Sequence, residues 1–135
     1  MILRRRDFLA AGAATVTAMG ATAWPFAHEG PDMYGLIGKM TAAPGKRDEL
    51  IAVLIGSVGE MPGCLSYIVA KDEHDADAIW ITEAWDSKTS HDASLSLPHV
   101  KEAIAKGRPL IAGFSDGVVT TPVGGYGLAL PKGPA

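Results

Sequence analysis

Between residues 33 and 121 the apolar pattern runs in the order strand, helix, strand, strand, helix, strand, and few architectures accept that order. Met33 to Met40 reads as a first strand, whose glycines allow close approach of a ligand or a neighbouring chain. Ala42-Ala43-Pro44-Gly45 is a turn, with Pro44 placed to open a helix. Leu50, Ile51, Leu54, Ile55 and Val58 then recur at helical spacing on one face, and Met61-Pro62-Gly63 ends that helix. Cys64 to Lys71 and Ala78 to Trp85 read as two strands of a hairpin, joined by the polar run from Asp72 to Asp77. Asp86-Ser87 suits the N-cap of a short helix running to about Leu97. Pro98 restarts a helix through Lys106, with Gly107 as its C-cap. After a loop around Arg108 to Phe114, Val118-Val119-Thr120-Thr121 is a β-branched fourth strand.

This β-α-β-β-α-β order predicts an α+β fold of the ferredoxin-like type, an antiparallel sheet with helices on one face. The other face has no helix to cover it. Its apolar residues are expected to pack on a second copy of the chain, giving a homodimer joined through the sheets. A chain of 135 residues is long enough for one such domain and too short for two. Residues 24 to 32 read as a leader before the domain, and residues 122 to 135 as a Gly/Pro-rich tail. Hydrophobic residues make up 47% and charged residues 20%, which places the chain among folded proteins. A net charge of -3 argues against a nucleic-acid partner, since such proteins carry a basic face. The single cysteine, Cys64, cannot form an intrachain disulfide, so packing must hold the fold. It reads as a small buried hydrophobe.

The first 23 residues have a different character. Three arginines, Arg4 to Arg6, run into a mildly apolar stretch from Phe8 to about Ala23, shorter than a membrane-spanning helix requires. Arg5-Arg6-Asp7-Phe8-Leu9 resembles the twin-arginine core, and Ala21-Thr22-Ala23 reads as a cleavage site. Residues 1 to 23 are therefore expected to be a twin-arginine signal peptide, recognised by the Tat translocase. Cleavage after Ala23 would leave 112 residues and move the net charge to -5, because three arginines and one aspartate leave with the signal. The expected location is periplasmic or otherwise exported, with no membrane insertion after cleavage. Twin-arginine export carries folded proteins, so folding, and with it dimer assembly, is expected before export.

Metal and phosphate chemistry find no support in the residue spacing. The four histidines show neither an H-x-x-x-H nor an H-E-x-x-H pattern. The acidic run at Asp72, Glu73, Asp75 and Asp77 lacks the glycine and distal glutamate of an EF-hand. Gly124-Gly125-Tyr126-Gly127 lies in the tail, not between a strand and a helix.

Three local patterns together resemble the antibiotic-biosynthesis-monooxygenase family. They are Pro62-Gly63-Cys64-Leu65-Ser66-Tyr67 entering the second strand, Glu83-Ala84-Trp85-Asp86-Ser87 leaving the third, and the run from His91 to Val100 with Leu97-Pro98-His99 inside it. The resemblance spans roughly residues 33 to 121. It implies a dimeric α+β barrel with a pocket in each subunit between sheet and helices. It also implies a cofactor-independent monooxygenase, acting with molecular oxygen on a quinol or polycyclic phenol and needing no metal, flavin or haem. Haem-degrading members of similar fold carry an Asn on the first strand, a Trp on the short helix and a His further on. Here the first strand has no Asn, Ser94 stands near the Trp position and Ile104 near the His position, so haem degradation is not expected. Relatives that isomerise small signalling metabolites, and a non-catalytic periplasmic binding module, are the competing functions.

Oxygenation of an electron-rich phenol needs a base, a donor for the developing oxyanion and a dry apolar slot. His91 is the first candidate base, because imidazole titrates in the useful range and the resemblance puts it on the pocket-lining helix. Tyr67 is the candidate donor. Glu83 is a second candidate base, with a salt bridge at the dimer interface as its structural alternative, since a carboxylate in an apolar strand must be paired. Trp85 and Trp80 point to opposite sides of the third strand, so one can face a pocket while the other packs in the interface. Phe114, with Leu110, is a candidate pocket wall, and His99 is a weaker substrate-binding candidate. His74 and His28 read as solvated.

Overall fold

The computed structural model describes residues 32–129. The expected signal peptide with its arginine pair, most of the expected leader including His28, and the last six residues lie outside the described residues. Strand β1 (Tyr34–Ala42) leads into helix α1 (Arg47–Gly56). Strands β2 (Cys64–Lys71) and β3 (Ala78–Trp85) follow, then helices α2 (Lys88–Ser94) and α3 (Pro98–Gly107), a 3-10 turn at Arg108–Leu110, and strand β4 (Ile111–Thr120). The four strands form one antiparallel sheet in the order β2-β3-β1-β4. This is the ferredoxin-like α+β arrangement expected from the element order.

The β2–β3 hairpin owes its register to its polar connection. The Asp72 carboxylate accepts hydrogen bonds from the backbone N–H groups of His74 (2.8 Å) and Asp75 (2.9 Å) and from the Trp80 indole (2.8 Å). Lys39 Nζ lies 3.3 Å from it. These donors, the His74 N–H first, hold the Asp72 carboxyl well below the usual carboxylate range. Arg47 at the start of α1 donates to the carbonyls of Asp72 and Asp75, tying the helix to the same turn. Asp48 and Glu49 fill the first turn of α1, where negative charge complements the helix dipole.

The principal core lies between the sheet and α1. Leu50, wholly buried, packs with Ala42 and Ile79, and Met40, Ile51, Leu54, Val69, Ile81, Leu110 and Ile111 close around them. Leu50, Ile51 and Leu54 match the apolar face read from the sequence. The helix stops at Gly56, earlier than the Met61-Pro62-Gly63 expectation, and leaves Ile55 and Val58 exposed.

Two further expectations need correction. The segment expected as a loop from Arg108 to Phe114 is strand from Ile111 onward, so β4 is ten residues long and Phe114 lies within it. Its Gly113 and Ser115 have poor strand preference, but pairing with Thr41 and Lys39 of β1 recruits them, while Asp116 and Gly117 form the bulge between Ser115 and Val118. The register between β1 and β4 shifts at Ile37/Lys39, opposite Asp116, whose φ is +52°. The tail, expected only as a Gly/Pro-rich extension, contributes a packing residue. Leu128 joins a second small core with Met33, Leu65 and Ala84, and the Ala129 N–H donates to the Leu65 carbonyl at 3.1 Å. The centre of the sheet face away from the helices remains open, with Ile37, Ile68 and Val118 exposed on neighbouring strands.

Candidate active site

Side chains on one strand alternate between faces, so Ile81, Glu83 and Trp85 share the helix side of β3. Register places Tyr67 of β2 directly opposite Glu83. Helix α2 then delivers His91 to the same place. That helix begins at Ser87, whose hydroxyl accepts from the Ser90 N–H at 3.1 Å. Its entry is tied to β2 through Gly63, whose carbonyl accepts from the Asp86 N–H at 2.8 Å. Gly63 adopts φ +84°, and a Cβ there would stand 2.5 Å from Ser90 Cβ, so only glycine lets α2 sit this close.

The result is a cavity of about 570 Å³ between the sheet and the helices. Tyr67, Glu83, Trp85 and His91 line it together, and its walls are otherwise mostly apolar, with Met40, Leu54, Ile81, Val100 and Ile104 among them. The cavity has the size and the few convergent polar groups of a small-molecule site. The His91 ring stands between two aromatic rings. The Tyr34 centroid is 5.2 Å away, and the Trp85 ring meets it edge-on at 5.5 Å. His91 Nδ1 lies 3.2 Å from Asp92 Oδ1, while Nε2 has no hydrogen-bond partner among the described residues. When Nδ1 carries the proton and donates it to Asp92, Nε2 presents a lone pair. Asp92 is itself held by Lys88 at 2.6 Å, and Lys88 with His91 lowers its pKa.

Tyr67 supplies a different function. Burial, reinforced by the nearby Glu83 and Cys64, pushes its phenol up to about 12. It therefore stays protonated at neutral pH, and its hydroxyl has no partner among the described residues, which leaves a donor available at the cavity wall. Glu83 accepts the Trp85 indole N–H at 2.8 Å. That bond fixes the indole and satisfies one carboxylate oxygen. Among the described residues Glu83 has no cationic partner within salt-bridge distance. Cys64 is only partly buried, and burial raises its thiol pKa.

Of the remaining candidates, Phe114 lines the cavity at its far side and is 73% exposed. Leu110 packs in the core instead. Trp80 stands on the opposite face of β3, donating to Asp72 with Lys39 Nζ 5.7 Å from its ring centroid. His99 also stands apart from the cavity. It lines a separate hollow between α1 and α3, and its buried Nε2 has no hydrogen-bond partner among the described residues. His74 is exposed in the hairpin turn. Tyr34 and Arg108 were not singled out by the sequence reading. The spacing of His91 and Ser94 on α2, with Leu95 at its C-cap, marks one helical face and could have pointed to the cavity side of that helix.

The same fold occurs in known proteins. The antibiotic biosynthesis monooxygenase family pattern matches residues 33–106. A solved Chloroflexus aurantiacus protein named for that family is 64% identical, with a TM-score of 0.70, over 71% of this chain and 98% of that one. A Pseudomonas aeruginosa structure is 22% identical at a TM-score of 0.61, covering 69% of this chain and 96% of that one. A Caulobacter crescentus protein of the same family name is 20% identical at a TM-score of 0.60, covering 71% of this chain and 92% of that one. These last two establish likeness of fold. No curated protein matches the chain. With the family pattern covering more than half its length and a 64%-identical relative spanned almost completely, the chain belongs to the antibiotic biosynthesis monooxygenase family.

Proposed function

We propose that the protein is a cofactor-independent monooxygenase that oxidises a quinol or polycyclic phenol with molecular oxygen. The observation that carries this reading is one mostly apolar cavity that brings together His91 Nε2 and the Tyr67 hydroxyl, neither with a hydrogen-bond partner among the described residues. His91 Nε2 takes the phenolic proton, and Tyr67 donates to the oxygen that becomes negative. The deprotonated ring is a far better one-electron donor to oxygen than the neutral phenol. The chemistry balances without an external reductant, since a hydroquinone and one oxygen molecule give a hydroxylated quinone and water. The apolar walls keep water from the reactive anion. Glu83 serves this scheme by orienting Trp85, which braces the His91 ring.

The test is oxygen uptake and quinone absorbance with a panel of hydroquinones and dihydroxyanthrones under air. At least one compound should be consumed faster with protein than without. The His91→Ala variant should lose about a hundredfold in rate while keeping its circular dichroism. If no compound reacts faster, or the variant matches the parent, the enzymatic reading fails.

We further propose that two copies pair through the open sheet face and that the chain is exported by the twin-arginine route. Exposed Ile37, Ile68 and Val118 support the first, and Arg5-Arg6-Asp7-Phe8-Leu9 the second. Replacing both arginines with lysine should leave the protein in the cytoplasmic fraction, and the exported form should have a mass that begins at Trp24.

A further inference from the structure

The cavity has a second pole. Its Tyr67, Glu83, Trp85 and His91 group stands where β1 begins and β3 ends, because Glu83 pairs with Leu36. The opposite end lies where β1 finishes and β4 starts, since Ala42 pairs with Ile111. Ile111, Ala112, Gly113, Phe114 and Arg108 line that end. Met40 and Phe114 are paired, so Phe114 lies about four residues and three strand spacings from Tyr67, roughly 15–20 Å across the sheet.

Arg108 is the one cation in the cavity lining. Its guanidinium makes no hydrogen bond or ion pair with any described residue. Most other described cations are engaged: Lys39, Lys46, Lys71, Lys88 and Lys106 face carboxylates, and Arg47 holds backbone carbonyls. The described residues carry eight Lys and Arg against thirteen Asp and Glu, so Arg108 is not part of a general basic surface. The backbone beneath it is constrained by the 3-10 turn Arg108–Leu110 and by Pro109. Arg108 is exposed and so stands at the rim of that end of the cavity, where a guanidinium with no protein partner among the described residues matches a carboxylate in both charge and shape.

We propose that Arg108 binds an anionic substituent of the substrate, so that the preferred compound is an acidic phenol of two or more rings with its hydroxyl and carboxylate at opposite ends. This rests on the reading that the hydroxyl lies at Tyr67 and His91. The substrate then spans the cavity lengthwise, and Arg108 sets both its orientation and its length.

Binding can be measured without turnover, which separates this proposal from the oxygenation chemistry. The probes are 4′-hydroxybiphenyl-4-carboxylate and neutral 4-hydroxybiphenyl, titrated by calorimetry or by quenching of tryptophan fluorescence. The carboxylate should bind about tenfold more tightly than the neutral phenol at low salt. That preference should vanish in Arg108→Gln, survive in part in Arg108→Lys, and shrink as salt is added. Arg108→Gln should weaken the carboxylate far more than the neutral phenol. Tyr67→Phe should weaken both probes alike. Equal affinities in the parent, or a preference that persists in Arg108→Gln, would overturn the Arg108 assignment while leaving the phenol end intact. Failure of both probes to bind would overturn the assignment together with the placement of the phenol. Preferential binding without oxygen consumption would leave Arg108 supported and the oxygenation reading refuted.

Discussion

Tyr67 is the residue whose environment departs most from that of its free side chain at the cavity. Its burial disfavours phenolate, and the neighbouring Glu83 and Cys64 act in the same direction. The native state therefore keeps a proton that the unfolded chain releases near pH 10. The stability tied to that proton is fully present below pH 10 and is lost as pH rises through about 12. The total loss should be roughly 2 kcal/mol, measured by urea unfolding between pH 9 and pH 12 and compared with Tyr67→Phe, which should lack the added slope. Absorbance titration gives an independent check. The native protein should show a phenol ionisation at about pH 12 that disappears in Tyr67→Phe. If Tyr67→Phe leaves the high-pH end of the titration unchanged, the Tyr67 phenol is solvated. Conversely, the same protonated hydroxyl makes Tyr67 useful as a donor at neutral pH.

At the scale of elements, the site depends on how α2 is seated against the start of β2. Gly63 permits the contact through a positive φ and the absence of a side chain. Gly63→Ala should cost about 1–3 kcal/mol and displace α2, which thermal unfolding and the near-ultraviolet signal of Trp85 can detect. Ligand affinity should fall with it, because His91 moves with the helix. Ser87→Ala removes the N-cap together with the hydroxyl's bonds to Asp86 and Ser90, and should cost about 1 kcal/mol with the cavity retained. The hairpin offers a contrasting test. Asp72 is stabilised as a carboxylate by the donors around it, so its contribution exists above the ordinary carboxylate range and is lost as pH falls towards its depressed native value. Asp72→Asn should melt at a lower temperature than the parent at pH 7, and the gap should narrow below about pH 4. A gap that stays constant with acidification would mean that the charge contributes nothing.

For the whole molecule, the sheet is covered on one side and largely bare on the other. Helices and the cavity occupy the first side. On the second, Leu128 covers one end and leaves Ile37, Ile68 and Val118 in water. Pairing two such faces would bury this surface and give the barrel expected from the family resemblance. Light scattering of the parent should give twice the chain mass. The double variant Ile68→Asp/Val118→Asp should give the monomer mass, since unpaired carboxylates in a sheet interface cannot be accommodated. A monomeric parent would contradict the pairing, whatever the variant does.

Local patterns carried much of this structure. The ends of β2 and β3, the capped start of α2 at Ser87 and the Pro98 start of α3 all follow from alternation, turn residues and caps, which act within a few positions. The same alternation put Glu83 and Trp85 on one face and Trp80 on the other, so half of the polar end of the cavity was legible in β3 alone. The rest required the assembled molecule. Gly113 to Ser115 become strand only because β1, more than seventy residues earlier, offers a hydrogen-bond ladder. Leu128 became a core residue because the tail reaches β2. Tyr34 meets His91, and Arg108 faces the far end of the same cavity, through contacts between segments that no short window contains. Propensity and periodicity are local energies and determined the elements. The cavity is a product of register and packing between distant strands, and only the tertiary structure decided which side chains share it.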